Sequence, residues 1–161
     1  MSKGARKKPA AGRGTGDALK LENQLCFPLY AASRLVTKCY QPVLDQLGIT
    51  YPQYLVLMVL WENDPVNLNF LAHRLKLQSN TLTPLLKRMQ ETGLVNRRRS
   101  VEDERSILIS LTKKGRGLKE KAPRLVDQLK NSLVLTVEEG INLHSLLHKL
   151  IAGVEAQFEM D

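Results

Sequence analysis

Two thiols are the most chemically reactive side chains in this sequence, Cys26 and Cys39. A thiolate, not a thiol, is the nucleophile that oxidants meet, so what matters is which sulfur is held with a lowered pKa. With Asn23 as helix cap, Cys26 falls in the first turn, where the positive helix end favours a thiolate. No Lys or Arg stands beside it in sequence, so the helix end and nearby hydroxyls must supply the stabilisation. Cys26, Tyr30, Ser33, Thr37 and Tyr40 follow at helical steps and form one stripe. Its two ends lie ~21 Å apart along the axis and do not meet within one chain. Two such helices crossing antiparallel on a two-fold axis near Ser33 set residue 26 of one against residue 40 of the other. Cys39 is ~20 Å from Cys26, beyond disulfide reach, and points roughly 100° away from Tyr40, so it reads as core filler.

A second set of residues suits a polyanion. Ser79, Asn80, Thr81 and Thr83 are small hydrogen-bonding side chains able to reach base edges, and Lys87 and Arg88 on the same helix face suit phosphates. Arg97, Arg98 and Arg99 lead into a turn that holds Asp103 and Arg105. An arginine at a hairpin tip fits a narrow minor groove, and Asp103 can orient it or hold a strand arginine. Glu102 and Glu104 oppose phosphate contact and fit a plain solvated turn. His144 and His148 share a helix face, but no HExxH and no third ligand accompany them, so no metal site is expected. Neither a nucleophile elbow nor a phosphate loop is present, and no catalytic residue or cofactor is assigned.

These groups need helices to carry them. Apolar residues at steps of three or four predict a long helix from Leu21 to Leu47, with Pro42 as the point of interruption and Gly48 as the stop. Thr50 then caps a nearly all-apolar, buried helix to about Glu62. After the Asn63-Asp64-Pro65 break, a short helix, a turn at 77–80 and a second helix to Gly93 make a helix-turn-helix. Pro84 belongs in the first turn of that second helix, which puts its cap at Asn80 or Thr81. Strands at 94–99 and 106–111 form a charged hairpin. Two further helices, 112–133 and 136–158, close the chain, the second opened by the capping box Thr136–Glu139.

The chain has 161 residues, enough for one domain, and 24 Lys+Arg against 16 Asp+Glu give a formal charge of +8. Such a surplus favours nucleic acid first and an anionic membrane surface second. Residues 1–17 read as a disordered basic arm, and 18–161 as one domain, with dimerisation helices at about 20–48 and 113–159 around a winged helix-turn-helix at about 50–112. The fold class expected is mainly α with a small β wing. Free thiols, no apolar run of ~18 residues and no signal pattern predict a cytoplasmic protein with no membrane association.

Residues 101–115, VEDERSILISLTKKG, resemble the wing signature of MarR-type regulators, and residues 21–62 and 81–95 resemble the organic-hydroperoxide-resistance repressors (OhrR) within that family. The likeness covers roughly residues 20–121. It implies an intertwined homodimer, a palindromic double-stranded operator, and a reactive Cys26 hydrogen-bonded to Tyr30 and Tyr40. Organic hydroperoxide would oxidise Cys26 to a sulfenic acid and release the operator. DNA-reading roles fall on Ser79, Asn80, Thr81, Thr83, Lys87, Arg88, Arg97 and Arg105, with Asp103 orienting the wing arginine. The sequence departs from the pattern at Asn80, where glycine is common, and at Pro28, which removes a helix bond to Gln24 and predicts a kink. Residues 118–135 hold no resolving cysteine, which points to a one-cysteine mechanism completed by a small-molecule thiol. Three alternatives stay open: a repressor of this type that answers to a phenolic or other anionic ligand, a thiol peroxidase, and an architectural DNA-binding protein.

Overall fold

The computed structural model describes residues 17, 19–99, 106–132 and 134–158. Nearly all of the expected basic arm lies outside the described residues, as does the wing tip with Asp103 and Arg105. Among the described residues, no single helix is long and apolar enough to cross a membrane.

The first long helix is divided where the side chains require it. A 3-10 turn at Leu21–Asn23 precedes α1 (Cys26–Cys39), and α2 (Gln41–Leu47) follows after Tyr40. Pro42 has no N–H to offer the Lys38 carbonyl, and the helix breaks there at Tyr40. The expected cap is corrected: Leu25, not Asn23, occupies the cap position, and the Asn23 Nδ2 donates to the Asp17 carbonyl at 2.7 Å. Pro28 therefore sits in the first turn, where a missing N–H breaks no interior bond. The Gln24 carbonyl accepts the Phe27 N–H instead, at 3.3 Å, so the predicted kink has no cause. α2 ends at Gly48 in the left-handed region (φ 66°), with the Ile49 N–H returning to the Leu44 carbonyl at 3.1 Å.

α3 (Tyr51–Glu62) begins with a capping box in which Thr50 and Gln53 satisfy each other's backbone N–H groups. Its Tyr54, Val56, Leu57, Val59 and Leu60 are all buried, so it is the central helix the sequence predicts. β1 (Val66–Asn67) was not expected. Two residues carry no readable periodicity, and the strand exists because Val66 pairs with Ile109 across the sheet. Asn67 then caps α4 (Leu68–Leu75) by accepting the Phe70 N–H at 2.8 Å.

α5 (Ser79–Glu91) buries Leu82, Leu85, Leu86 and Met89. β2 (Val95–Arg99) and β3 (Ile107–Leu111) pair antiparallel, giving a sheet in the order β1-β3-β2. The expected helix over 112–133 is three pieces: α6 (Lys113–Gly117), a 3-10 turn at Leu118–Lys121 and α7 (Pro123–Ser132). Pro123 starts a helix readily but does not continue one. α8 (Val137–Phe158) carries the predicted box, with Thr136 and Glu139 exchanging bonds of 2.8 and 3.2 Å.

One core, from Leu44 on α2 to Leu125 on α7, joins the helix-turn-helix to the sheet. Outside it, α1 and α8 contain no buried residue, and Leu25 at the cap of α1, Phe27 and Leu35 on it, and Ile141, Leu146 and Phe158 on α8 stand exposed.

Candidate DNA interface and thiol site

The period of α5 sorts its residues cleanly. With its leucines inward, Ser79, Asn80, Thr81, Thr83, Lys87 and Arg88 are all exposed along the opposite side. The helix starts at Ser79, earlier than expected, so Pro84 lies inside it and not in its first turn. The proline is tolerated because it faces solvent; the bond it forfeits is to the Asn80 carbonyl. The Thr83 hydroxyl donates to the Ser79 carbonyl at 2.8 Å, which holds that side chain close to its own helix. No side chain caps the start of α5, where the Thr81 N–H donates to the Gln78 carbonyl at 3.0 Å.

In the wing, Val95 faces Leu111 and Arg97 faces Ile109 across the hairpin. Alternation along β2 therefore turns Arg97 to the side of buried Val95, and Arg97 is half-buried, with Nε enclosed and without a hydrogen-bond partner among the described residues. Arg98 and Arg99 are the exposed strand arginines. Period-two counting from Val95 would have separated them.

The wing is fastened to the rest by contacts the sequence did not flag. Asp64 accepts the Leu111 N–H through Oδ1 at 3.0 Å and pairs with Arg116 through Oδ2 at 2.9 Å. The Trp61 indole donates to the Gly115 carbonyl at 3.0 Å. The Thr112 hydroxyl donates to the Gly93 carbonyl at 2.7 Å and accepts the Gly115 N–H at 3.1 Å. Gly115 itself lies so close to β2 that an added Cβ would stand 2.2 Å from the Leu94 carbonyl oxygen. Asp64 reads in sequence only as part of a break, and nothing local marks its partners on β3 and α6.

Cys26 is exposed and is the first residue of α1, nearer the helix end than the sequence suggested. Tyr30 stands one turn on, exposed, with the Arg34 guanidinium 5.5 Å from its ring centre. Tyr40 is at the other end of α1, so one chain does not bring it to Cys26. Its ring lies 5.1 Å from Tyr51 and 6.1 Å from Tyr54, and Tyr54 continues to Trp61 at 6.0 Å. Burial, then the neighbouring Tyr51, Tyr54 and Cys39, push the Tyr40 phenol up to about 12, so it stays a protonated donor at neutral pH. Cys39 is half-buried, and its thiol donates to the Leu35 carbonyl at 3.4 Å. Among the described residues, no group of three or more His, Cys, Asp or Glu is arranged to hold a metal.

A helix-turn-helix followed by an arginine-bearing hairpin defines a winged-helix nucleic-acid-binding protein. Residues 38–122 match the family described as transcriptional regulator SarA/Rot. The chain is 52% identical to the organic hydroperoxide resistance transcriptional regulator of Bacillus subtilis (strain 168), over 86% of this chain and 92% of that protein. A structure of reduced AbfR bound to DNA superposes with a TM-score of 0.73 at 38% identity, covering 86% of this chain and 94% of that one. NadR in complex with 4-hydroxyphenylacetate superposes at 0.64 with 26% identity, over 89% and 97%. The chain belongs to the MarR-type winged-helix transcriptional regulators, in the organic-hydroperoxide-resistance group. It is a regulator and not an enzyme, which removes the thiol peroxidase alternative.

Proposed function

We propose that this chain is a dimeric repressor that holds a palindromic operator and lets it go when organic hydroperoxide oxidises Cys26. The observation that carries this reading is the exposed thiol at the first residue of α1, in a chain 52% identical to an organic hydroperoxide resistance regulator. The thiolate sulfur attacks one peroxide oxygen, the O–O bond breaks, the alcohol leaves, and Cys26 becomes a sulfenic acid. A small-molecule thiol then condenses with it, releasing water and leaving a mixed disulfide.

The partner's α1 completes the site. The exposed apolar residues of α1 and α8 supply surface for an intertwined homodimer, and Tyr40 of the second chain meets Cys26 of the first. Tyr30 lies within the same chain's next turn. DNA contacts fall to Ser79, Asn80, Thr81, Thr83, Lys87 and Arg88 on α5 and to the wing, with Arg98 alongside Arg97, and Arg105 with Asp103 at its tip. The ring series Tyr40, Tyr54, Trp61 and the Trp61–Gly115 bond supply a packed route from the end of α1 to the base of the wing.

The test is operator binding before and after equimolar organic hydroperoxide, for the unaltered chain and for Cys26→Ser. Release by the first and retention by the second are expected; normal release by Cys26→Ser refutes the redox reading. A groove of about 540 Å³ lined by Tyr54, Met58, Trp61 and Lys119 favours a second reading, release by an aromatic acid with Cys26 inert. That reading predicts that 4-hydroxyphenylacetate releases DNA from Cys26→Ser as well.

A further inference from the structure

His144 and His148 lie one turn apart on α8 and bring the same ring nitrogen close together. Their Nε2 atoms are 3.1 Å apart, with ring centres at 4.3 Å and planes inclined by 54°. Two Nε2 atoms this close suit either a shared proton, with one ring donating to the other, or, with both nitrogens unprotonated, a metal ion held by both rings, and the spacing bears on the second. With Zn–N near 2.05 Å, two cis nitrogens stand ~2.9 Å apart at a right angle and ~3.3 Å at a tetrahedral angle. The observed Nε2 separation falls between these limits, while the ring centres at 4.3 Å stand closer than the ~4.5–5.2 Å of such a chelate, so both rings turn away from each other to admit an ion.

The surroundings are compatible with a cation. Both histidines are exposed, and His148 lines a cleft between α8 and the α3–α4 region together with Glu62, His73 and Lys76. The cleft's charged side chains are already matched, Arg74 with Glu62 at 2.7 Å and Lys76 with Glu155, which limits repulsion of an incoming ion. We infer that His144 and His148 chelate a divalent transition-metal ion that prefers imidazole, such as Zn2+, Ni2+ or Cu2+, with water in its other positions. Two protein ligands with water make an open, exchangeable site and not a structural one. It stands on a different element from Cys26 and does not depend on the peroxide reading.

The test is a Zn2+ titration by calorimetry on the untagged full chain, in its Cys26→Ser/Cys39→Ser double variant, and in His144→Gln and His148→Gln. Binding is expected in the first two, weakened on the order of 100-fold in either histidine variant, because the second imidazole otherwise binds intramolecularly. Equal affinity in His148→Gln and the unaltered chain overturns the proposal, as does loss of binding with the cysteines. Bound Cu2+ on the unaltered chain should show the nitrogen hyperfine pattern of two imidazoles; a single imidazole refutes chelation.

Discussion

Replacing Asp64 by alanine measures how firmly the wing is fastened. Its carboxylate does two things of unequal worth. Oδ1 accepts the N–H of Leu111, a residue 5% exposed, and Oδ2 pairs with Arg116. The Asp64 side chain is 13% exposed and that of Arg116 62%, so solvent screens the ion pair from one side. An exposed or half-exposed pair contributes about 0–1 kcal/mol. A buried N–H left without its acceptor costs about 1–3 kcal/mol. Asp64→Ala loses both and should destabilise by about 2–3 kcal/mol, whereas Arg116→Ala should cost less than about 1 kcal/mol, a cost that added salt reduces further. Asp64→Asn keeps an acceptor for Leu111 and should resemble Arg116→Ala. The assay is urea unfolding at one fixed protein concentration, where Asp64→Ala should lower the midpoint by roughly 1 M with little change in slope. If Arg116→Ala proved as costly as Asp64→Ala, the ion pair and not the backbone bond would be fastening the wing, and the reasoning would fail.

Gly115→Ala should be far more damaging than an ordinary glycine change, because its Cβ would meet a backbone oxygen at 2.2 Å; insoluble protein or a large fall in Tm is expected, and near-native stability would show that the approach of α6 to β2 is wrong. Arg98→Ala should weaken operator binding and flatten its salt dependence by about one phosphate contact, read from affinities over a range of salt, with Arg97→Ala having the smaller salt effect. The Tyr40 phenol is raised in the fold, so its contribution to stability is complete below pH 10 and disappears as pH rises toward about 12. Tyr40→Phe should therefore lessen the loss of stability across that interval and remove one late phenolate from an absorbance titration; an unchanged titration would place the Tyr40 ring in water. Trp61→Phe should leave Cys26 oxidation intact while blunting DNA release, measured by thiol titration beside operator binding, and full release would exclude this route to the wing.

How much of this could be read in advance depended on the range of each signal. The leucines of α5, the apolar run of α3 and the Thr136–Glu139 box follow local periods, and each lies where the sequence puts it. The start of α1 was misread because Asn23 has a capping side chain, while its actual bond is to Asp17, six residues back. β1 escaped because two residues have no period, and its reason for existing is Ile109, forty-three positions away from Val66. The segmentation of 112–133 was legible in principle, since Pro123 marks a helix start. The outward face of α5 follows from residue type and spacing, whereas the redox role expected of Cys26 came chiefly from the family resemblance. Tyr51 and Tyr54 were missed as neighbours of Tyr40 because only packing of α3 against the end of α1 brings them there.

The unequal burial of the two ends of the chain has a consequence for abundance. The reader and wing possess a core within one chain, whereas α1 and α8 contain no fully buried residue within it. In the proposed dimer, the completeness of the fold is then a function of protein concentration, through mass action. At low copy number, separated chains would present greasy helices to proteases and chaperones and be cleared first. Synthesis rate would thus set more than the number of molecules. It would set a threshold below which the operator is free even in a cell that has met no oxidant.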